Sequence, residues 1–534
     1  MNQELLMEKR KVILFFLKKN ILLSDDMLNQ DLDSDFYDLV KEKINSNDFL
    51  ILNNDLKNLL EKANQIDLNW FELERSKVLL EKKKDDKIYP KFMEYLSDQK
   101  RILGEKKKKE EESYGNVKII FSYQDKKGER EKKKSIKDFI SYFNARFNSM
   151  EKILQNRQEL QNLTLINKII NKKDKENVSF IAMVSDRQIT KKTKSIILTM
   201  EDQTGEIKVL INQNSPIYEE SKDIVLDDII GITGINNNNM VFANNIIFPD
   251  IPLKELKKSK DEAYVIFLSD LHVGSKNFLS DNFNKFLKWI NQEIGTEEQK
   301  EIAKKVKYIF IIGDLVDGVG IYPEQDLELD IKDIYNQYEE CAKLLKQIPN
   351  NIPLIICPGN HDANRISEPQ LELYKDFSKA LYELNNVIMI SNPAYVNIHS
   401  SENFQGFDVL VYHGYSFDYY VANVDSIRMK GGYNRADLIM KFLLKRRHLA
   451  PSYTSTLYMP DKEKDSLIID KVPDFFCTGH IHKTYVSTYK NTTLICGSCW
   501  QSKTIFQERV GHNPEPCKIP IVNLKTRKVK ILKF

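Results

Sequence analysis

The sequence predicts a multidomain α+β chain: an N-terminal helical domain, a small β-barrel and a larger C-terminal domain of alternating strands and helices. Three observations predict it. Of 534 residues, 41% are hydrophobic and 29% charged, a balance that can bury sizeable cores. At roughly 100–200 residues per domain, the length suits about three or four domains. The apolar period changes along the chain from helical to strand-like and then to mixed.

Residues 1–100 carry apolar residues at helical spacing, as in Val12, Ile13, Phe16 and Leu17, or Phe36, Leu39, Val40 and Ile44. Asp and Asn clusters between these segments supply caps and turns. Residues 101–134 hold the charge runs Lys106 to Lys109, Glu110 to Glu112 and Lys132 to Lys134. They read as a solvated linker, with a phosphate-contacting arm as the competing reading, interrupted by a strand-like stretch from Val117 to Tyr123. Helical spacing returns in Ile136, Phe139, Ile140, Phe143, Phe147 and Met150, which predicts a helical connector over 135–177.

Between residues 178 and 250 the period becomes that of strands. VSFIAMVSD, SIILTMED, EIKVLIN, DIIGITGI and MVFANNIIF are five short runs separated by Gly, Asn and Asp, with a short helix expected near Glu219 to Lys222. Five strands in this length predict an OB-type barrel. Its few aromatics, Phe180, Tyr218, Phe242 and Phe248, are a poor stacking surface for single strands. The barrel is therefore expected to pack or to dock a partner.

Composition excludes several classes. Lys+Arg is 80 and Asp+Glu is 77, a net charge of +3, so the chain is not a uniformly basic nucleic-acid binder. Six cysteines are too sparse for a disulfide framework and imply a reducing compartment. No apolar run approaches the ~20 residues of a membrane span, and the run Val12 to Leu17 is shorter than a signal-peptide core. A cytoplasmic protein is expected.

Residues 260–534 alternate apolar strands with loops and helices. Strands are expected at Tyr264–Ser269, Lys307–Ile312, Pro353–Cys357, Asp408–Tyr412, Asp474–Thr478, Thr493–Gly497, Ile519–Leu524 and Val529–Phe534. The first five are the strand-like runs from which the motifs project. Asp270-Leu-His272, Gly313-Asp314, Gly359-Asn-His-Asp362, His413-Gly414 and Gly479-His-Ile-His482 each follow an apolar strand. Loops at strand ends are where a rigid sheet presents reactive groups. Carboxylate, imidazole and amide carbonyl together suit hard-to-borderline divalent cations. Asp270 and His272 are two apart, as are His480 and His482, so each pair can turn toward one ion. Asp314 can bridge two.

This order of motifs resembles the calcineurin-like metallophosphoesterase superfamily. The longer stretches GDLVDGVGIYP, CPGNHDANRISEPQ, HGYSFD, RRHLAP and PDFFCTGHIHK, with EDQTGEIKVLI in the barrel, resemble the small subunits of archaeal family-D DNA polymerases. The resemblance runs from about residue 135 to the end. It implies a C-terminal calcineurin-like β-sandwich flanked by helices. It implies that Asp270, His272 and His482 hold one metal, that Asn360, His413 and His480 hold another, and that Asp314 bridges. His361 would then stand beside the scissile phosphate as leaving-group acid or transition-state stabiliser, and Asp362 would orient a histidine. Two Mn²⁺ ions are implied, with Mg²⁺, Fe²⁺ or Zn²⁺ left open by the donor set. The implied activity is 3′→5′ exonucleolytic proofreading on DNA 3′ ends, in a heterodimer with a large catalytic subunit. Other replication factors could be recruited through residues 1–100. The alternatives are a non-catalytic scaffold for the large subunit, or an independent repair nuclease of the same superfamily.

Further candidates lie close by. Asp317, Tyr322 and Arg365 sit near the ligands in sequence and read as shaping a substrate pocket, with ordinary loop packing as the competing reading. Arg446 and Arg447, in the basic run Lys445 to His448, read either as a solvated helix end or as a DNA-phosphate or partner contact. Cys477, Cys496, Cys499 and Cys517 read as core residues, with a zinc site as the competing reading.

Overall fold

The computed structural model describes residues 21–23, 50–52, 116–125 and 134–534, apart from 173, 462 and 510. It divides at Ser113/Tyr114 into two units. In the first, the runs β1 (Ile21–Leu23) and β2 (Leu50–Leu52) pair in parallel. These six residues depart from the all-helical expectation. The remaining helical segments expected over 1–100 lie outside the described residues.

The second unit opens with β3 (Lys118–Ser122), inside the expected linker. It pairs antiparallel with Ala394–Ile398 of the C-terminal domain, so this part of the charged stretch is sheet. A helix follows over Ile136–Leu154, burying Tyr142, Arg146, Phe147, Met150 and Leu154 along one face. The five apolar runs become β4 (Asn177–Ile189), β5 (Ile196–Asp202), β6 (Gly205–Ile211), β7 (Ile229–Asn237) and β8 (Met240–Ile247). They close into a barrel of order β4-β5-β6-β8-β7, with β6 and β8 parallel. Phe180, Tyr218 and Phe248 are buried in or against the barrel, and Phe242 is exposed.

The remaining strands, together with β3, form two six-stranded sheets. They are β9 (Tyr264–Leu268), β10 (Val306–Ile312), β11 (Leu354–Cys357), β12 (Val387–Met389), β13 (Ala394–Ile398), β14 (Phe407–Val411), β15 (Phe475–Thr478), β16 (Tyr485–Tyr489), β17 (Thr492–Cys496), β18 (Lys518–Asn523) and β19 (Val529–Lys533). The sheet orders are β12-β11-β10-β9-β18-β19 and β16-β17-β15-β14-β13-β3. Alternation along each strand builds three layers of core. Val265, Phe267, Phe310, Val409 and Phe475 pack between the sheets. Ile266, Leu268 and Ile309 face outward onto Phe283, Phe286 and Tyr338. Leu410, Phe476 and Leu494 face the other way onto Ile439 and Leu443. Strands covered on both faces read as unbroken apolar runs, which is why the sequence exposes them. The strands β12, β13 and β16, absent from the sequence expectation, are short or carry polar residues.

The helix Ile136–Leu154 joins barrel and sandwich: Phe147, Met150 and Leu154 share one cluster with barrel Ile181 and Ile229 and with Ile468. Arg446 and Arg447, expected at DNA or a partner, belong to this junction instead. Arg446 is buried and donates from Nε to both oxygens of barrel Asp228, at 2.8 and 3.1 Å. Arg447 ends its helix in the left-handed conformation (φ 53°), which turns its guanidinium onto the carbonyls of Ile469 and Asp470. The four cysteines weighed as a zinc site are all buried, and among the described residues no candidate ligand group contains a cysteine. No helix of the described residues is long and apolar enough to cross a membrane.

Candidate metal centre

The five motifs converge at the strand ends. Asp270 and His272 follow β9, Asp314 follows β10, Asn360 and His361 follow β11, His413 follows β14, and His480 and His482 follow β15. Asp270, His272, Asp314, His480 and His482 all have positive φ, between 50° and 71°. Left-handed backbone in a non-glycine residue costs about 1–3 kcal/mol, so five in one site are held there by the surrounding sandwich. Glycines let the loops close. A Cβ on Gly359 would lie 2.2 Å from Asp314 Oδ1, and one on Gly313 would lie 2.3 Å from His413 Nδ1.

Two candidate ligand groups result, Asp270–His272–His482 and Asp314–His413–His480, each with its donor atoms within 4.8 Å of one another. Asp314 lies between them: its Oδ2 is 3.3 Å from His413 Nε2 and 3.9 Å from His272 Nε2. Asn360 Oδ1 lies 3.0 Å from both His413 Nε2 and His480 Nδ1. The residues fit cations, because the outer nitrogens of the histidines are occupied. His272 donates from Nδ1 to Asp317 at 3.0 Å, His413 from Nδ1 to the carbonyl of Ile312 at 2.9 Å, and His480 from Nε2 to Asp418 at 3.0 Å. The inner nitrogens face one another and are the ones a cation would take in the neutral imidazoles; His272 Nε2 and His482 Nε2 are 3.0 Å apart. Burial disfavours a charged His413, yet the carboxylates of Asp314 and Asp270 push it up to about 10. That is a field a divalent cation would neutralise.

His361 sits against both groups. Its backbone N–H donates to Asp314 Oδ1 at 2.8 Å and its Nδ1 to the carbonyl of Asp317 at 2.8 Å, which leaves Nε2 free. Geometrically it also forms a third group with His272 and Asp314. A pocket of about 470 Å³ opens over these residues, lined also by Tyr322, Tyr415, Asp418, Phe506 and His512.

Three sequence expectations are corrected by position. Asp362 orients no histidine: its carboxylate accepts from the N–H groups of Gly359 and Leu315 and from the Tyr338 hydroxyl, which locks the loop. Burial, and then the charge of Asp314, raise this carboxyl to about 7. Asp317 does not face the pocket. It is fully buried, taking His272, Gln325 and Gln501. Arg365 points to Asp125 at 2.9 Å and the carbonyl of Pro369, over the ring of Tyr123, and so holds the segment after β3. Tyr322 alone of these candidates lines the pocket. The sequence reading missed Asp418, which is paired with His480 62 residues away, and Gln507, whose amide lies 3.1 Å from His482 Nδ1. Asp418 lies in the HGYSFD stretch; Gln507 carries no motif.

A calcineurin-like phosphoesterase family model matches residues 263–484. The chain is 40% identical over 400 residues to the DNA polymerase II small subunit of Methanothermobacter thermautotrophicus, covering 75% of this chain and 80% of that one. It is 37% identical over 403 residues to the DNA polymerase II small subunit of Pyrococcus furiosus, spanning 75% of this chain and 64% of that one. The corresponding Archaeoglobus fulgidus subunit is 35% identical over 387 residues, covering 72% and 75%.

Proposed function

This chain belongs to the family of archaeal DNA polymerase II small subunits, with a calcineurin-like phosphoesterase domain, and from that premise we propose that it is a two-metal phosphodiesterase that trims DNA 3′ ends beside a large polymerase subunit. The observation that carries the reading is the complete, converging donor set around Asp314. In this reading Asp270, His272 and His482 hold one divalent ion and Asn360, His413 and His480 the other, with Asp314 shared. When bound, such a pair supplies Lewis acidity toward phosphate and a nucleophile at neutral pH.

The chain's own residues do the rest. Asp317 and Asp418 fix which nitrogens of His272 and His480 face inward. The carbonyl of Asp317 fixes His361 by its Nδ1 proton, so that Nε2 faces the pocket. Burial lowers the pKa of this imidazole, and an arriving phosphate anion opposes that shift. Once protonated, Nε2–H can donate to the departing 3′-oxygen, a step worth about 10²–10⁴-fold. Phosphodiester ends suit the pocket because two dications set against the carboxylates of Asp270 and Asp314 would leave it net positive when loaded. We read the barrel as OB type from its strand order. With one exposed aromatic among its four, it serves docking in this reading rather than strand binding.

The test uses 5′-labelled and 3′-labelled DNA strands with Mn²⁺, the full chain with and without its large subunit, and an Asp314→Ala control. Stepwise loss from the 3′ end, absent in the control, is expected. Undiminished cleavage by Asp314→Ala would overturn the site. No cleavage in any arm, with metal bound, would leave a scaffold subunit.

A further inference from the structure

We propose that Tyr322 and Phe506 form a nucleobase-stacking platform on the pocket wall, which takes the base of the 3′-terminal nucleotide. The inference deepens the phosphodiesterase reading and rests on it for the identity of the strand. Both rings line the pocket that holds His272, Asp314, Asn360, His361, His480 and His482. The Tyr322 ring is 6.3 Å from the His361 ring. A phosphate at His361 therefore places a base, one sugar away, against this wall.

The two rings are stacked on each other, centroids 5.1 Å apart and planes 24° apart. They come from segments far apart in sequence and are held by one buried carboxylate. Glu328 accepts from the Tyr322 hydroxyl at 3.2 Å and from the Ile505 N–H at 2.9 Å. That places both ring-bearing segments on a common anchor, and such a pair loses little freedom when a third ring joins it. Phe506 nonetheless stays 41% exposed, beside exposed Ile321 and Ile505. The pocket thus has a polar floor of imidazoles and carboxylates and an apolar, aromatic rim. A nucleotide has the same two halves, a phosphate for the floor and a flat ring for the rim. Stacking tolerates all four bases, as trimming of any 3′ end requires.

The experiment titrates the full chain, without divalent metal, with an oligonucleotide ending 3′ in 2-aminopurine and with the same strand ending in an abasic site. Quenching of the terminal fluorophore is expected. So is tighter binding of the base-bearing end, by roughly 5- to 150-fold. Phe506→Ala, which removes an exposed ring, should abolish both, and Phe506→Trp should retain them. Equal binding of the two ends by the unaltered chain would overturn the proposal, as would an undiminished preference in Phe506→Ala. Loss of large-subunit association in Phe506→Ala with the terminal preference intact would put a protein on this surface and overturn it too. Hydrolysis is then read with Mn²⁺ added. Quenching without hydrolysis would leave the base subsite standing and remove the nuclease reading; hydrolysis indifferent to the terminal base would do the reverse.

Discussion

Asp314 stands between the two candidate ligand groups, with one oxygen facing His413 and His272 and the other accepting the His361 N–H. Replacing it with Asn keeps the shape and removes the charge. We expect Asp314→Asn to lose metal at both positions and to lose hydrolysis by roughly 1,000-fold or more, several kcal/mol of charge stabilisation. Elemental analysis and rate measurement on one sample check this. Asp317 acts through His272, so Asp317→Asn should lower metal affinity roughly 10- to 100-fold with the fold intact, as read by metal titration. His361→Ala is expected to retain both metals and lose about 10²–10⁴-fold in turnover. Loss of metal in that variant would make His361 a ligand.

At the scale of elements, the helix Ile136–Leu154 is pinned by a buried polar cluster. Arg146 donates to Asp465 at 2.6 Å and to the carbonyl of Pro451 at 2.9 Å. His448 donates from Nε2 to the same carboxylate at 2.8 Å, while its Nδ1 accepts the Ala450 N–H at 2.9 Å. Protonating Nδ1 would set two donors face to face. Burial, and then the charge of Arg146, lower His448 to about 4. A histidine depressed in the folded state costs stability once the unfolded chain takes up its proton. The contribution is whole above about pH 6.5 and drains away as pH falls toward 4. Burial would raise the Asp465 carboxyl, but Arg146 and His448 hold it well below the usual range, so its share is lost at still lower pH. Thermal unfolding followed from pH 7 to pH 4 should show falling stability, and His448→Gln should flatten that slope.

For the whole molecule, metal loading and domain docking should separate. A ligand that binds only the folded state stabilises it by about 2.7 kcal/mol at 100 times its Kd. Mn²⁺ should therefore raise the melting temperature of the unaltered chain and leave that of Asp314→Asn unmoved. Arg446→Ala leaves barrel Asp228 buried without its cation, a change that costs roughly 3–5 kcal/mol. Urea unfolding should show that loss while metal affinity stays unchanged, since Arg446 bonds Asp228 and the Asp223 carbonyl and is absent from every ligand group.

The strands that carry the ligands were legible because each is covered on both faces and so is apolar along its length: Tyr264–Leu268, Leu354–Cys357 and Phe475–Thr478 are buried at every position. The candidate ligands were legible because metal chemistry restricts residue type and the chain must turn at a strand end to present them. The surroundings were not. Asp317 and Arg365 lie within five residues of a ligand, yet one turns inward behind His272 and the other away toward Tyr123. Nothing local distinguishes those directions. Arg446 and Arg447 look in sequence like an exposed basic helix end, and only the barrel packed against them makes them buried. The sequence by itself determined the strands, the barrel's five runs and the residue types that could bind cations, since periodicity and donor chemistry are local properties. The tertiary structure decided which carboxylate serves which histidine, which arginines are interior and which aromatic rings meet, since each depends on segments brought together from distant parts of the chain.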